Sequence, residues 1–221
     1  MSWNTYYAET TAKNLCYEQF TYEGCLVGCG PVAWTILFCW GDQEAERGNT
    51  YWKNRWGLYR KEGGRGVNAT APGEDTSDNQ GPRNISREIH DQVNTFCTPN
   101  GQGATAPWDM AGADEYLSGR TGTRLRINKH DAGFSTSGLR NWARNSIIYR
   151  KTPVVIGIGW LSHYPVAYGY RWRTRLVRRD FLWWSWYESV TDRQFKVNQG
   201  IPGRRSEWIS ADTWFAGEIL P

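Results

Sequence analysis

The pattern of apolar and polar positions changes its period near residue 150. Residues 31–46 are apolar through most of their length and polar at the far end, which predicts a buried helix. Shorter stretches with helical spacing predict further helices over 85–97, 109–118 and 138–149. The segment 61–84 is rich in Gly, Pro, Asp and Asn, and predicts a surface loop.

Strand-forming sequence begins at about residue 153. Four segments rich in β-branched and aromatic residues predict strands: TPVVIGIGW, YPVAYGYRWR, FLWWSWYE and RQFKVNQG. Helices followed by strands are typical of the α+β class. The 221 residues therefore predict one domain, 1–221, with a helical part of about 1–150 packed against a sheet part of about 151–221 and a cleft between them.

Composition is that of a folded protein with an aromatic core. Fourteen Trp and twelve Tyr residues raise the aromatic content to 15%, and charged residues make up 22%, a balance that argues against disorder. No apolar run reaches the roughly 18 residues of a membrane span, and the first ten residues lack a signal-peptide pattern. We therefore expect a soluble chain with no membrane partner. Localisation stays open, with secretion favoured.

The net charge of +4 is too small to indicate a nucleic-acid partner by itself. In the stretch RWRTRLVRR, Arg171, Arg173 and Arg175 occupy alternate positions, so a strand here would present three guanidinium groups on one face. We favour a solvated face, and keep a site for an acidic substrate or nucleic acid as the alternative. A nucleic-acid binder using 171–179 would lose affinity steeply with salt.

Five cysteines, at 16, 25, 29, 39 and 97, leave four if one is a free nucleophile, and four can pair in three ways. Cys39 lies in the apolar run ILFCW, which suits a buried free thiol better than a disulfide. The first candidate pair is Cys25 with Cys97, and any disulfide would indicate an oxidising compartment. The scattered histidines and the lack of a CxxC motif disfavour zinc, so we expect no metal and no cofactor.

Cys29 is the candidate nucleophile. Pro31 is well tolerated only in the first turn of a helix, so the helix should begin near Gly30, with Cys29 at its N-terminal end. Backbone N–H groups and the helix dipole there favour a thiolate. The neighbouring Gly28 and Gly30 would let a substrate backbone approach closely. Taken alone, the same pattern also fits a buried structural cysteine.

Two further residues follow Cys29 in a suggestive order. His163 stands at the start of an alternating apolar strand, where it could take the thiol proton and return it to a leaving amine. Asn198 ends the strand FKV, where its side-chain oxygen could accept the second imidazole N–H. Taken alone, His163 also fits a structural histidine, and Asn198 also fits a turn asparagine. The ordered set of three favours a catalytic unit.

These blocks resemble papain-like cysteine peptidases, nearest to the streptopain-type and bacteriocin-processing enzymes. The matching segments are GCGPVAWTILF, SHYPVAYGY and FKVNQGIPGRRSEWIS, about a quarter of the chain. His163 follows Cys29 at the separation of roughly 130–150 residues found in papain itself. The resemblance implies a papain-like α+β fold with an antiparallel sheet and an active-site cleft. It assigns Cys29 as nucleophile, His163 as base and Asn198 as the residue that orients the base.

The chain departs from the family pattern around the oxyanion hole. The family's glutamine usually lies about six residues before the nucleophile, but Glu23 occupies that position before Cys29, and Gln19 lies six before Cys25. Either an insertion separates Gln19 from Cys29, or Cys25 is the nucleophile. We favour Cys29, because a helix that began at Cys25 would contain Pro31 in its interior.

The remaining site predictions concern residues around the histidine and the asparagine. Trp160 and Ser162 are expected to line the substrate site together with the two glycines. Trp208 or Trp160 could shield the imidazole from water, since IPGRRSEW replaces the family's Trp- and Gly-rich turn. Asp192 is an alternative orienting residue.

The sequence therefore predicts a cysteine peptidase that cleaves a peptide or protein substrate through a thioacyl-enzyme. Gln19 and the Cys29 backbone N–H would stabilise the oxyanion. Acyl transfer, as in crosslinking, would use the same apparatus. The alternative from another class is a non-catalytic module whose surface Trp and Tyr residues bind carbohydrate or peptide.

Overall fold

The computed structural model describes residues 2–8, 18–46, 80–121, 125–131, 136–159 and 162–220. The helices are α1 (Cys29–Glu46), α2 (Gln80–Gln92), α3 (Ala113–Thr121) and α4 (Thr136–Asn145). A 3₁₀ turn at Asp109–Gly112 precedes α3, and a π-helical turn at Ser146–Arg150 follows α4. The described part of the chain contains no helix long and apolar enough to cross a membrane.

The strands form one large antiparallel sheet and two small ribbons. They are β1 (Asn4–Tyr7), β2 (Thr21–Tyr22), β3 (Cys25–Leu26), β4 (Phe96–Cys97), β5 (Gly103–Ala104), β6 (Arg126–His130), β7 (Val154–Gly157), β8 (Val166–Phe181), β9 (Trp184–Asn198), β10 (Glu207–Ser210) and β11 (Phe215–Leu220). The large sheet has the order β10-β9-β8-β7-β11-β6, and β1 pairs with β8. The ribbons are β2–β3 and β4–β5. The predicted α+β class and antiparallel sheet are confirmed.

Several predicted boundaries differ from the structure. Strands β1 and β6 arise within the part predicted to be helical, and both join the large sheet. The helix predicted over 85–97 is α2, which begins and ends five residues earlier, so its first residues fall in the predicted loop. The rest of that loop, 61–79, lies outside the described residues. The sequence FLWWSWYE is not one strand, because it contains the turn between β8 and β9.

Helix α1 is buried on all sides, which explains why its apolar positions do not follow a single stripe. Its buried side chains include Trp34, Phe38 and Trp40, each at most 1% exposed. Burying one large apolar side chain stabilises the folded state by roughly 1.5–3 kcal/mol relative to leaving it exposed. This packing fixes the helix, and with it the position of Cys29 at its first turn.

The large sheet has an apolar layer on each face. In β7, Val155 packs into the cluster around α1, whereas Val154 and Ile156 pack into the cluster around α4. Alternation of this kind is expected because successive side chains of a strand point to opposite faces. The face that carries α1 is the one against which Cys29 packs.

Strands β8 and β9 form a long hairpin with two different ends. At the inner end, Val166 pairs with Asn198 and both residues are buried. At the outer end, Phe181 pairs with Trp184, and both side chains are 67% exposed. The inner end positions the candidate site, and the outer end lies in solvent.

Candidate active site

Among the described residues, two cysteines form a disulfide and two do not. Cys25 is bonded to Cys97, the first candidate pair from the sequence. Cys29 and Cys39 are not in a disulfide, and Cys39 is buried as its apolar context predicted. Because the sulfur of Cys25 is held in a disulfide, Cys29 is the free thiol of this region.

Cys29 is the first residue of α1. Gly28 adopts a φ of +96°, a conformation that other residues rarely take, and turns the chain into the helix. Its carbonyl accepts a hydrogen bond from the N–H of Val32, and Pro31 lies in the first turn, where its missing N–H costs no hydrogen bond. The helix therefore starts where the sequence predicted, with a thiol at its N-terminal end.

The thiol of Cys29 lies near backbone N–H groups from the start of α1 and from the segment before β8. Burial raises its pKa, and hydrogen bonds from the N–H groups of Tyr164, Cys29 and Gly30 act in the opposite direction. Burial is the larger effect, so the neutral thiol is the resting form at neutral pH. The bond from Tyr164 brings the sulfur next to the residue that follows His163 in the chain.

His163 forms an isolated bridge with Ile158 just before β8. Its Nε2 lies 2.9 Å from the carbonyl oxygen of Gln199. A carbonyl oxygen only accepts, so Nε2 carries the proton and Nδ1 is the unprotonated nitrogen of the neutral ring. Burial lowers the pKa of His163, with a smaller contribution in the same direction from the positive charge of Arg204. The ring is therefore neutral and basic at Nδ1 near neutral pH.

Asn198 ends β9 directly before Gln199 and is fully buried. Its Oδ1 accepts a hydrogen bond from the N–H of Gly200 at 3.0 Å, which holds the turn that presents the Gln199 carbonyl. The acceptor for the second imidazole nitrogen is thus the residue after the one predicted. Direct contact between Asn198 and His163 stays a prediction.

Gln199 and Glu207 extend this hydrogen-bond network, and neither was predicted from the sequence. Gln199 Nε2 donates to a Glu207 carboxylate oxygen at 3.1 Å. Arg204 binds both oxygens of the same carboxylate at 2.9 Å and holds the pKa of Glu207 below its usual range. The network fixes the segment whose backbone orients His163. The sequence marked Gln199 only by its position, directly after Asn198.

Gln19 precedes a short hairpin that returns the chain to Cys29. Thr21 pairs with Leu26, and the N–H of Val27 donates to the Phe20 carbonyl at 2.9 Å. The turn is made at Glu23 and Gly24, both with positive φ. In this hairpin the segments after Gln19 and before Cys29 run side by side. The predicted oxyanion contact of Gln19 itself stays a prediction.

The predicted substrate-binding residues that the structure describes make packing contacts or hydrogen bonds within the fold. A Cβ on Gly28 would lie 3.0 Å from Thr95 Cγ2, and one on Gly30 would lie 2.9 Å from Met110 Sδ. Close packing therefore accounts for both glycines without a substrate. The Ser162 hydroxyl donates to the Ile158 carbonyl at 3.1 Å and remains exposed. Trp160 lies outside the described residues.

Asp192 lies away from the end of β9, whereas Trp208 pairs with Lys196 near that end. Shielding of His163 by Trp208 stays a prediction. Asp192 accepts hydrogen bonds from Arg173 and Arg175. It stands six residues before Asn198 on β9, roughly 20 Å away along a strand. The Trp208 ring lies 4.1 Å from the Arg171 guanidinium carbon. Asp192 is therefore not positioned to orient His163.

Tyr164 is a site residue that the sequence analysis did not single out. Its hydroxyl donates to the Thr105 carbonyl at 3.2 Å, and burial strongly raises its pKa. Its ring meets the edge of Trp214 at 5.1 Å between ring centroids. These contacts lock the backbone N–H that points at Cys29. The signal available was its position, directly after the candidate histidine.

No protein-family model matches the chain, and no curated protein matches it. The resemblance to papain-like peptidases therefore rests on the three sequence blocks alone. What the structure adds is their arrangement. The start of α1, the segment His163–Tyr164 before β8 and the end of β9 lie close together, although the first and last lie far apart in sequence.

Proposed function

We propose that this chain is a papain-like cysteine hydrolase that cleaves peptide bonds through a thioacyl-enzyme. One observation carries the proposal. The backbone N–H of Tyr164, directly after His163, lies near enough to the Cys29 sulfur to act on its pKa, and the Nε2–H of His163 is held by the Gln199 carbonyl at 2.9 Å. A free thiol at a helix start and a base oriented through its far nitrogen are the parts that nucleophilic catalysis requires.

The first half of the reaction forms the thioester. The Cys29 sulfur attacks the peptide carbonyl carbon while Nδ1 of His163 takes the thiol proton. The Cys29 N–H and Gln19 stabilise the negative charge that develops on the carbonyl oxygen. The intermediate collapses when the C–N bond breaks, and His163 gives its proton to the leaving amine.

The second half consumes water. His163, neutral again, takes a proton from a water molecule that attacks the thioester carbon. The C–S bond breaks, the peptide leaves as a carboxylic acid, and the Cys29 sulfur recovers a proton. An amine in place of this water would give acyl transfer, so the mass of the product distinguishes hydrolysis from crosslinking.

The low pKa of His163 predicts the acid limb of the reaction. Burial lowers this pKa from its ordinary value of 6.5, so the imidazole stays unprotonated in mildly acidic solution. Activity is lost only as the pH falls through the lowered pKa and the base becomes protonated. A mixed peptide library supplies the substrate, which is the peptide cleaved most rapidly. For this peptide, we expect kcat/KM to fall to half its maximum, on the acid side, at a pH below 6.5. Products are read by mass spectrometry.

Two results would contradict this proposal. One is an acid midpoint at or above pH 6.5, which would require a base in a more polar environment than that of His163. The other is a library in which no peptide is cleaved at any pH while circular dichroism shows a folded protein.

A further inference from the structure

The outer end of the β8–β9 hairpin exposes a concentrated set of large apolar side chains. We call residues 181–187 the hairpin tip. Leu182 is 78% exposed and Trp183 is 89% exposed. The exposed members are Phe181, Leu182, Trp183, Trp184, Trp186 and Tyr187. Exposed apolar clusters of this kind mark interaction sites, since isolated surface aromatics are common but contiguous ones are not.

The apolar side chains of the tip are not confined to one face. Phe181 pairs with Trp184, and Trp186 follows two residues later on the same face. Tyr187, one residue further, belongs to the opposite face, where Leu176 is also 63% exposed. A flat protein partner would cover one face of such a ribbon. A lipid interface surrounds a protruding tip on all sides.

Two arginines lie at a fixed distance along the strand from the end of the hairpin. Arg179 pairs with Trp186 and Arg178 with Tyr187. These arginines stand two and three residues from Phe181, or roughly 7–10 Å along the strand. Segments that bind a membrane interface insert by roughly 5–10 Å. When the tip is inserted, both guanidinium groups therefore lie at the level of the lipid phosphates.

The acidic neighbours do not block this use of the arginines. Arg178 pairs with Asp180 at 3.0 Å and Arg179 with Glu188 at 2.9 Å, and all four side chains are more than half exposed. Ion pairs of this exposure contribute little, so phosphate oxygens can replace the carboxylates. Between 171 and 193 the chain carries six arginines and three acidic residues, which leaves the hairpin positive.

We propose that the hairpin tip docks on an anionic membrane surface, with its aromatic side chains in the interface and Arg178 and Arg179 on lipid phosphates. Tryptophan suits this depth because its ring is apolar and its N–H is polar. The expectation of no membrane partner rested on the lack of a spanning segment, which docking by a hairpin does not require. The 15 residues of β9 would hold the candidate site roughly 45 Å from the tip.

Vesicle co-sedimentation tests the proposal without reference to catalysis. The probes are phosphatidylcholine vesicles and vesicles that also contain phosphatidylglycerol, at low and high salt. We expect binding to the mixed vesicles only, weakened by salt, with a blue shift of tryptophan emission. The double substitution Arg178→Gln/Arg179→Gln should weaken binding roughly 10- to 30-fold. Trp183→Ser/Trp184→Ser should weaken it at least as much.

Trp108→Ser is the matched control, because Trp108 is 71% exposed but lies outside the hairpin. It should bind vesicles like the wild type, and circular dichroism should show that all variants fold. Failure of the folded wild type to bind mixed vesicles would overturn the proposal, as would equal binding by Trp183→Ser/Trp184→Ser. Equal binding to neutral vesicles, or dimerisation through the tip in sedimentation velocity, would also overturn it.

Discussion

Replacing Cys29 with serine is expected to lower peptide hydrolysis by about 10³-fold or more while the protein stays folded. The hydroxyl of serine is a weaker nucleophile than a thiol, and the helix N-terminus that favours a thiolate does not ionise it. The fold should survive, because the change replaces one small side chain by another at the first turn of α1. Initial rates on the most rapidly cleaved library peptide measure the effect, with circular dichroism as the check on folding.

Cys39→Ala is the matched control for this experiment. Cys39 is the other cysteine of α1, but it is buried ten residues further along the helix, roughly 15 Å from Cys29. Its loss should leave the hydrolysis rate within a small factor of the wild type. If Cys29→Ser kept a tenth of the activity, or if Cys39→Ala lost as much as Cys29→Ser, the sulfur of Cys29 would not be the nucleophile.

Removing the disulfide is expected to be the most costly change to stability. Cys25 and Cys97 are separated by 72 residues in sequence, and closing a loop of that length lowers the entropy of the unfolded chain by an amount worth about 4 kcal/mol. The double substitution Cys25→Ala/Cys97→Ala should lower the free energy of unfolding by about that much. Urea unfolding of the oxidised wild type and the variant measures the difference.

The same substitution should also weaken the packing that supports Cys29. The disulfide ties β3 to β4, next to β5, whose Gly103 packs so closely that a Cβ there would lie 2.8 Å from the Gly28 nitrogen. Gly28 directly precedes Cys29. Activity of the variant should therefore fall at lower urea than in the wild type.

A reducing agent is the control for the disulfide effect. It should lower the wild-type unfolding midpoint to that of Cys25→Ala/Cys97→Ala and leave the variant unchanged. Equal midpoints for the oxidised wild type and the variant would show that this bond contributes no stability.

The parts of the structure that the sequence predicted have strong local causes. Pro31 restricts the start of α1, because proline removes a donor that only the first turn can lose. The apolar residues after His163 predict a strand, and β8 begins there, with its first five residues buried on both faces of the sheet. The apolar run around Cys39 predicts a buried cysteine outside a disulfide, and the structure has one there.

The parts that the sequence did not predict depend on distant partners or on backbone atoms. β6 is five residues long and pairs with β11, about ninety residues later, so its stability comes from tertiary contacts. The turn at the hairpin tip lacks Gly and Pro, and is made by Leu182 at a φ of +51°. The acceptor for His163 is a backbone carbonyl, which every residue has and no sequence motif marks.

The most direct test of the Cys29–His163 unit is the rate at which iodoacetamide alkylates Cys29 in the native protein at neutral pH, mapped by mass spectrometry. Because burial raises the pKa of this thiol, it should react slowly unless a base removes its proton. We predict that the wild type reacts about 100-fold faster than His163→Ala, and that Cys39 reacts in neither until the protein is denatured. Equal rates at Cys29 in the two proteins would contradict the account.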